Sequence, residues 1–409
     1  MKKTGALLIA ALVLLSVLLT GCSGRGKTIT LNVYNWGEYI SDGSEGTFDV
    51  NAAFEDYYYE TYGVQVQVNY TTYASNEDMY NKIRSGATRY DVIFPSDYMI
   101  ERMIAEGLLR KLDFDRIPNF EYIDPEYRNL FYDPENEYTV PYAYGMYGII
   151  YNSTLVEEDV TGWDSMWDER YSGQILQFNN PRDAFGTAMY KLGIDVNTTD
   201  RAEWERAKEM LSIQKPLVQS YVMDEIFNKM KNGSAAIACY YAGDFLTMYE
   251  DNEDLCFVYP EEGTNVYVDA MCIPTCSAYP EVAEEYINFL LSEEPAVANA
   301  EYTYYATPNR LVRENEEYIE CMTEIHEDAM SIIYPEAGTV NATFFENLDP
   351  DTLAYENALW ESLKIESNVS AWVYIVSGVI VLGLVSLLIY RWLLNRYRDK
   401  YYYSAAQKK

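Results

Sequence analysis

Aromatic and acidic side chains gather at five places along this chain: 34–39, 95–98, 179–183, 240–244 and 267–269. Rings beside carboxylates suit an organic cation. Each ring face attracts an ammonium by ~0.5–1 kcal/mol when exposed and by ~2 kcal/mol when desolvated. A carboxylate adds a charge-assisted hydrogen bond, roughly twice as strong as a neutral one. Micromolar affinity needs about 8 kcal/mol net, so a few rings and two or three acids suffice. Other chemistries lack their groups. The only histidine is His326, which removes the commonest triad base and most zinc chemistry. There is no G-x-G-x-x-G, no phosphate-loop lysine motif and no G-x-S-x-G. With 64 acidic and 30 basic side chains the net charge is −34, which repels nucleic acid. Tyrosine is the compositional outlier at 41 residues. Neither catalytic residues, a cofactor nor a metal site is expected.

The elements that must position these clusters alternate strand and helix. A strand over 29–33 leads into Tyr34-Asn35-Trp36-Gly37-Glu38-Tyr39. A helix over 48–62, a strand over 64–70, a helix over 76–85 and a strand over 91–94 follow, the last broken by Pro95-Ser96 before a helix over 97–107. After Pro141 the pattern restarts, with strands at 148–152, 174–178, 235–239 and 267–274 and helices at 182–192, 201–213 and 224–231. Helices dominate from 279. This alternation predicts parallel βαβ units in an α/β fold of two lobes without a long linker. Ligands of open parallel sheets bind beyond the carboxyl ends of the strands, where the five clusters fall.

Both ends of the chain point to a membrane. Residues 1–21 read as a signal peptide: Lys2 and Lys3, an apolar run from Ala6 to Leu19, then Leu19-Thr20-Gly21-Cys22. That tetrapeptide resembles a bacterial lipobox, which implies lipidation of Cys22. Ser370–Tyr390 is an uncharged run of the length a transmembrane helix needs, with Trp372 and Tyr374 at one edge and Tyr390 and Trp392 at the other. The basic tail, 391–409, falls on the cytoplasmic side by the positive-inside rule. The region between is then extracytoplasmic. The five cysteines after Cys22 cannot all pair within the chain, and reduced structural thiols are the expected state.

Four segments in order carry a family resemblance: Tyr34 to Tyr39, Thr72-Tyr73-Ala74-Ser75-Asn76-Glu77-Asp78-Met79-Tyr80, Tyr90 to Tyr98, and Tyr305-Ala306-Thr307-Pro308-Asn309. They resemble the spermidine/putrescine-binding proteins of bacterial ABC importers, over about residues 29–364. The resemblance implies a two-lobed, hinged, type II periplasmic-binding-protein-like receptor that acts as a monomer, takes a polyamine between its lobes and delivers it to a permease. It implies lobe 1 at 22–143 with 267–312 returning to it, and lobe 2 at 144–266 with 313–365 returning. It also implies a cage. Trp36, Tyr39, Ser96 and Tyr98 come from the first lobe. An acid-x-x-acid pair becomes Asn180 and Asp183, so one charge is missing. Tyr241 and Tyr267 stand where the family has tryptophan, Asp269 grips an ammonium, Tyr305 matches a ring position, and Glu346 falls where the family often has glutamine. Residue 37 is glycine where threonine can occur, which removes a hydroxyl.

Two other readings use the same residues. A ferric-ion receptor of similar fold would use Tyr304-Tyr305, since phenolate and carboxylate oxygens suit a hard cation. An extracellular hydrolase would use two of the many carboxylates.

Overall fold

The computed structural model describes residues 28–365 and 371–406, so the leader and Cys22 lie outside the described residues. Residues up to Asn357 form one compact unit, and Ala358–Lys409 a second.

The first unit is built on a ten-stranded sheet. In chain order its strands are β1 (Ile29–Trp36), β2 (Val66–Tyr73), β3 (Val92–Ile93), β4 (Thr139–Asn152), β5 (Ile175–Phe178), β6 (Val218–Val222), β7 (Ile237–Tyr241), β8 (Leu255–Val258), β9 (Thr264–Cys272) and β10 (Ala342–Phe344). The main path runs β2-β1-β3-β9-β4-β7-β5-β6. β1 pairs in parallel with β2 and β3, as does β5 with β6 and β7, which gives each lobe the expected parallel core.

The lobes meet through antiparallel pairing that the alternation of helix and strand did not predict. β4 is a single strand of 14 residues. Its first part, to Met146, pairs with β9, and from Tyr147 onward it pairs with β7 and β8. The expected restart after Pro141 is therefore a correction: the strand runs through the proline. Pro141 lacks an N–H and is tolerated because the register shifts between Pro141 and Ala143.

Local chemistry sets the helix starts that face the sheet's carboxyl edge. Ser75 caps Asn76–Ser85 by accepting from Asp78 N, and Asn180 caps Pro181–Leu192 by accepting from Asp183 N. Pro181 occupies the first turn, where its missing N–H costs nothing. Leu31, Val33 and Val92 from the strands, with Phe94 just after β3, pack against Phe54, Tyr286 and Ile287 from the covering helices. Phe54 meets Tyr286 edge-on at 4.9 Å. Cys239, Cys256, Cys272, Cys276 and Cys321 are free thiols.

The second unit carries the helix Ala371–Ala406, in which Val376–Arg396 is long and apolar enough to cross a bilayer. The helix continues through Arg391, where the expected tail begins. Ser370 lies outside the described residues.

The β4–β8 contact offers a stability test. A Cβ added at Gly148 would lie 2.5 Å from Val258 O and as close to the Phe257 ring, and the backbone atom cannot turn aside. Gly148→Ala should destabilise the protein by about 1–3 kcal/mol, read as a lowered Tm in thermal melts.

Candidate functional site

Between the lobes lies a cleft of about 850 Å³, open solvent included. It is lined beyond the carboxyl ends of β1, β2, β3, β5, β6 and β7 and along β9. Of the anticipated residues, Trp36, Tyr39, Ser96, Tyr98, Asn180, Asp183, Tyr241, Tyr267, Asp269 and Tyr305 all line it. Glu346 does not. Its side chain is exposed, its N–H donates to Asn197 Oδ1, its carbonyl accepts from Arg182, and the preceding residue, Phe345, lines the cleft instead.

The recurring unit of the site is a tyrosine hydroxyl donating to a carboxylate. Tyr39 donates to Asp269 Oδ2, Tyr241 to Asp183 Oδ2 and Tyr305 to Asp244 Oδ2, each at 2.7 Å. Tyr98 donates to Glu77 Oε1 at 3.0 Å. The rings also build the wall: Tyr39 meets Tyr305 edge-on at 5.0 Å, and Tyr241 meets Tyr267 edge-on at 5.4 Å. Glycines make room for two of them. A Cβ at Gly243 would lie 3.0 Å from the Tyr305 ring, and one at Gly145 2.7 Å from the Tyr267 hydroxyl oxygen. Trp36 is fixed by donation from its indole N–H to Phe94 O at 2.9 Å and leans on Tyr73.

Asp269 is the most demanding group. It is 4% exposed, and its Oδ1 is buried with no hydrogen bond formed among the described residues, although the Ser96 and Tyr39 hydroxyls lie where they favour its charged form. A charge there is costly unless something arrives to pair with it. Burial accordingly pushes the Asp269 and Asp244 carboxyls up to about 7. Burial also raises Asp183, although hydrogen bonds from Tyr241 and Asn180 favour its charged form. Asp97 is different. Both its oxygens are taken by backbone N–H groups, of Tyr98 at 2.7 Å and Val268 at 3.2 Å, so it ties the helix after β3 to the strand carrying Asp269.

Asn180, where the family resemblance implies an acid, is employed locally. Asn180 Oδ1 caps the helix through Asp183 N at 2.8 Å, and its Nδ2 donates to Asp183 Oδ2 at 2.7 Å. It orients the remaining acid but supplies no charge. Asn76 plays a similar part for the first lobe, donating to Ser96 Oγ at 3.0 Å and to the Tyr98 hydroxyl at 3.2 Å.

The paired-tyrosine metal reading fails on geometry. Tyr305 turns to Asp244, whereas Tyr304 donates to Glu250 Oε2 at 2.8 Å and does not line the cleft. The two hydroxyls serve different carboxylates.

Sequence reasoning passed over several lining acids. Glu38, Glu77 and Asp244 lie inside segments it had marked, but nothing in those segments separates a lining acid from a solvated one. Glu38 sits at φ 48°, a left-handed conformation uncommon for a side chain other than glycine. Met223, Asp224 and Phe227 follow β6, a strand that no sequence pattern announced.

Comparison with known proteins places the fold. A family model of bacterial extracellular solute-binding proteins matches residues 52–322. The spermidine/putrescine-binding periplasmic protein of Salmonella typhimurium is 32% identical over 339 residues, 82% of this chain and 91% of that one. The spermidine/putrescine ABC transporter substrate-binding protein PotD of Streptococcus pneumoniae superposes with a TM-score of 0.65 at 34% identity, covering 82% of this chain and 99% of that one. The Tp0655 (TpPotD) lipoprotein of Treponema pallidum gives 0.67 at 25% identity, with coverage of 82% and 99%. The chain belongs to the bacterial extracellular solute-binding proteins, and its two-lobed α/β fold is theirs.

Proposed function

We propose that this chain is an extracytoplasmic, membrane-anchored receptor that binds a polyamine, spermidine or putrescine, between its lobes and delivers it to the permease of an ABC importer. The observation that carries the reading is the buried, unpartnered oxygen of Asp269 in a cleft walled by tyrosines. An alkyl chain bearing ammoniums meets both needs, because its methylenes pack on rings while its charges meet the acids. The names of the relatives support the same ligand class. The ligand cage comprises the ten anticipated residues that line the cleft. Closure moves lobe 1 (22–143 with 267–312) against lobe 2 (144–266 with 313–365) as rigid bodies. The receptor acts as a monomer. A lipid on Cys22 and the C-terminal helix both tether it; the lipoprotein nature of the Treponema relative supports the first and the apolar stretch Val376–Arg396 the second.

Calorimetric titration of the detergent-solubilised full chain should give saturable binding of spermidine or putrescine at one site per chain. Asp269→Asn should weaken it by about tenfold to a hundredfold, the worth of a hydrogen bond to a charged group. Absence of heat with either amine from the wild-type chain would refute the ligand class.

The acids add a pH signature. An empty carboxyl with a pKa of about 7 is partly protonated near neutrality, and it must lose that proton to hold an ammonium. Ligand binding therefore releases protons, and affinity should fall as pH drops below about 7, by up to about tenfold per pH unit for each such carboxyl. Titrations in buffers of different ionisation enthalpy measure the proton release directly.

The tether makes a separate prediction. Removing residues 366–409 should leave the chain membrane-bound through Cys22, and adding Cys22→Ser should release it to the soluble fraction. Release by truncation alone would show that no lipid is attached.

A further inference from the structure

The acid missing at Asn180 has a substitute from another element. Gly37 follows β1 in the first lobe, and a Cβ added there would lie 2.8 Å from Asp224 Oδ2 and 3.6 Å from its Cγ. Gly37 has no positive φ, so its backbone conformation does not call for glycine. A Cβ there would meet only the end of the Asp224 side chain, which would have to turn away from its present place. Asp224 comes from beyond β6 in the opposite lobe and lines the same cleft as Asp269. It stands at the N-cap position of the helix Glu225–Lys231, yet its side chain makes no capping hydrogen bond. The carboxylate is directed at the cleft and not at its own helix.

Its setting is that of a group at the cleft mouth. Asp224 is solvent-accessible, but the protein atoms crowding it raise its carboxyl, and the charges of Glu225 and Glu38 raise it further. Asp224 and Glu38 in turn act on Asp244, whereas Asp183 acts on Asp269. The acids of the cleft thus fall into two groups, each drawing on both lobes. Like charges brought together across a closing cleft repel, and a cation between them reverses the sign.

We propose that Asp224 is a ligand-binding carboxylate of the cleft, admitted from the second lobe by Gly37, and that with Glu38 and Asp244 it holds one terminal ammonium of the ligand. This rests on the polyamine reading above. Two departures from the family pattern, glycine at 37 and asparagine at 180, then become one exchange: the charge lost beside Asp183 is supplied at the other acidic group.

The test is calorimetric titration of the detergent-solubilised full chain with spermidine and with putrescine. The variants are Asp224→Asn, Gly37→Ala, the two combined, and Asp269→Asn. Asp224→Asn and Gly37→Ala should each lower affinity by about tenfold or more, the first by removing the charge and the second by displacing it. The double variant should bind no worse than the weaker single variant, because both changes remove the same contact. Thermal melts identify any variant that fails to fold, in which case Asp224→Asn carries the test alone. Wild-type affinity in Asp224→Asn alongside loss in Asp269→Asn overturns this assignment and leaves the polyamine reading standing. Losses that add in the double variant overturn the role of Gly37. No binding by the wild-type chain overturns both.

Discussion

Carboxylates buried among rings are the constraint on which the rest of this structure depends. An ionised acid taken out of water costs several kcal/mol unless it is paired, and among the described residues no lysine or arginine lines this cleft. Tyrosine supplies part of the compensation. Each hydroxyl that reaches Asp183, Asp244, Asp269 or Glu77 gives the acid one donor, while the attached ring leaves an apolar, π-rich face to the cleft. The compensation is incomplete at Asp269, whose Oδ1 is left for the proposed cationic ligand.

The scaffold serves the same end. Acids from one lobe alone would make a half-site, so the sheet has to bring strand ends from both lobes to one place. Parallel pairing within each lobe turns the carboxyl edges inward. β4 and β9, running antiparallel through the junction, place Tyr267 and Asp269 where the two edges face. The glycines at 145 and 243 are part of this arrangement, because a methyl group at 243 would press on the Tyr305 ring that holds Asp244, and one at 145 would meet the Tyr267 hydroxyl.

Much of this was legible in the residues. Strand ends rich in rings and acids marked the cleft wall correctly, because the rule that ligands lie beyond parallel strands depends only on chain direction. The segments matching the family located Trp36, Ser96, Tyr98 and Tyr305 in the same cleft. What was not legible depended on tertiary geometry. Pro141 read as a break because a bulge cannot be foreseen from one strand. β6, Val-Gln-Ser-Tyr-Val, is too short and mixed to announce itself, so Asp224 beyond it went unmarked. Near Glu346 the three-residue β10 sets which neighbour faces inward, and an error of one position there exchanges an exposed acid for the buried ring of Phe345. The role of Gly37 is a relation between two lobes, visible only when both are in place.

The tyrosine–carboxylate pairs also bear on which cations the cleft refuses. A hard trivalent metal seeks deprotonated phenol oxygen, but burial and the neighbouring acids raise the pKa values of Tyr39, Tyr241 and Tyr305 far above the ordinary phenol value. A metal would have to expel those protons from hydrogen bonds that already stabilise the acids, whereas an ammonium brings its own donors and leaves every phenol intact. The same arrangement that would suit the proposed amine thus sets a penalty on ionising the rings, which a Lewis acid would have to meet and an ammonium would not.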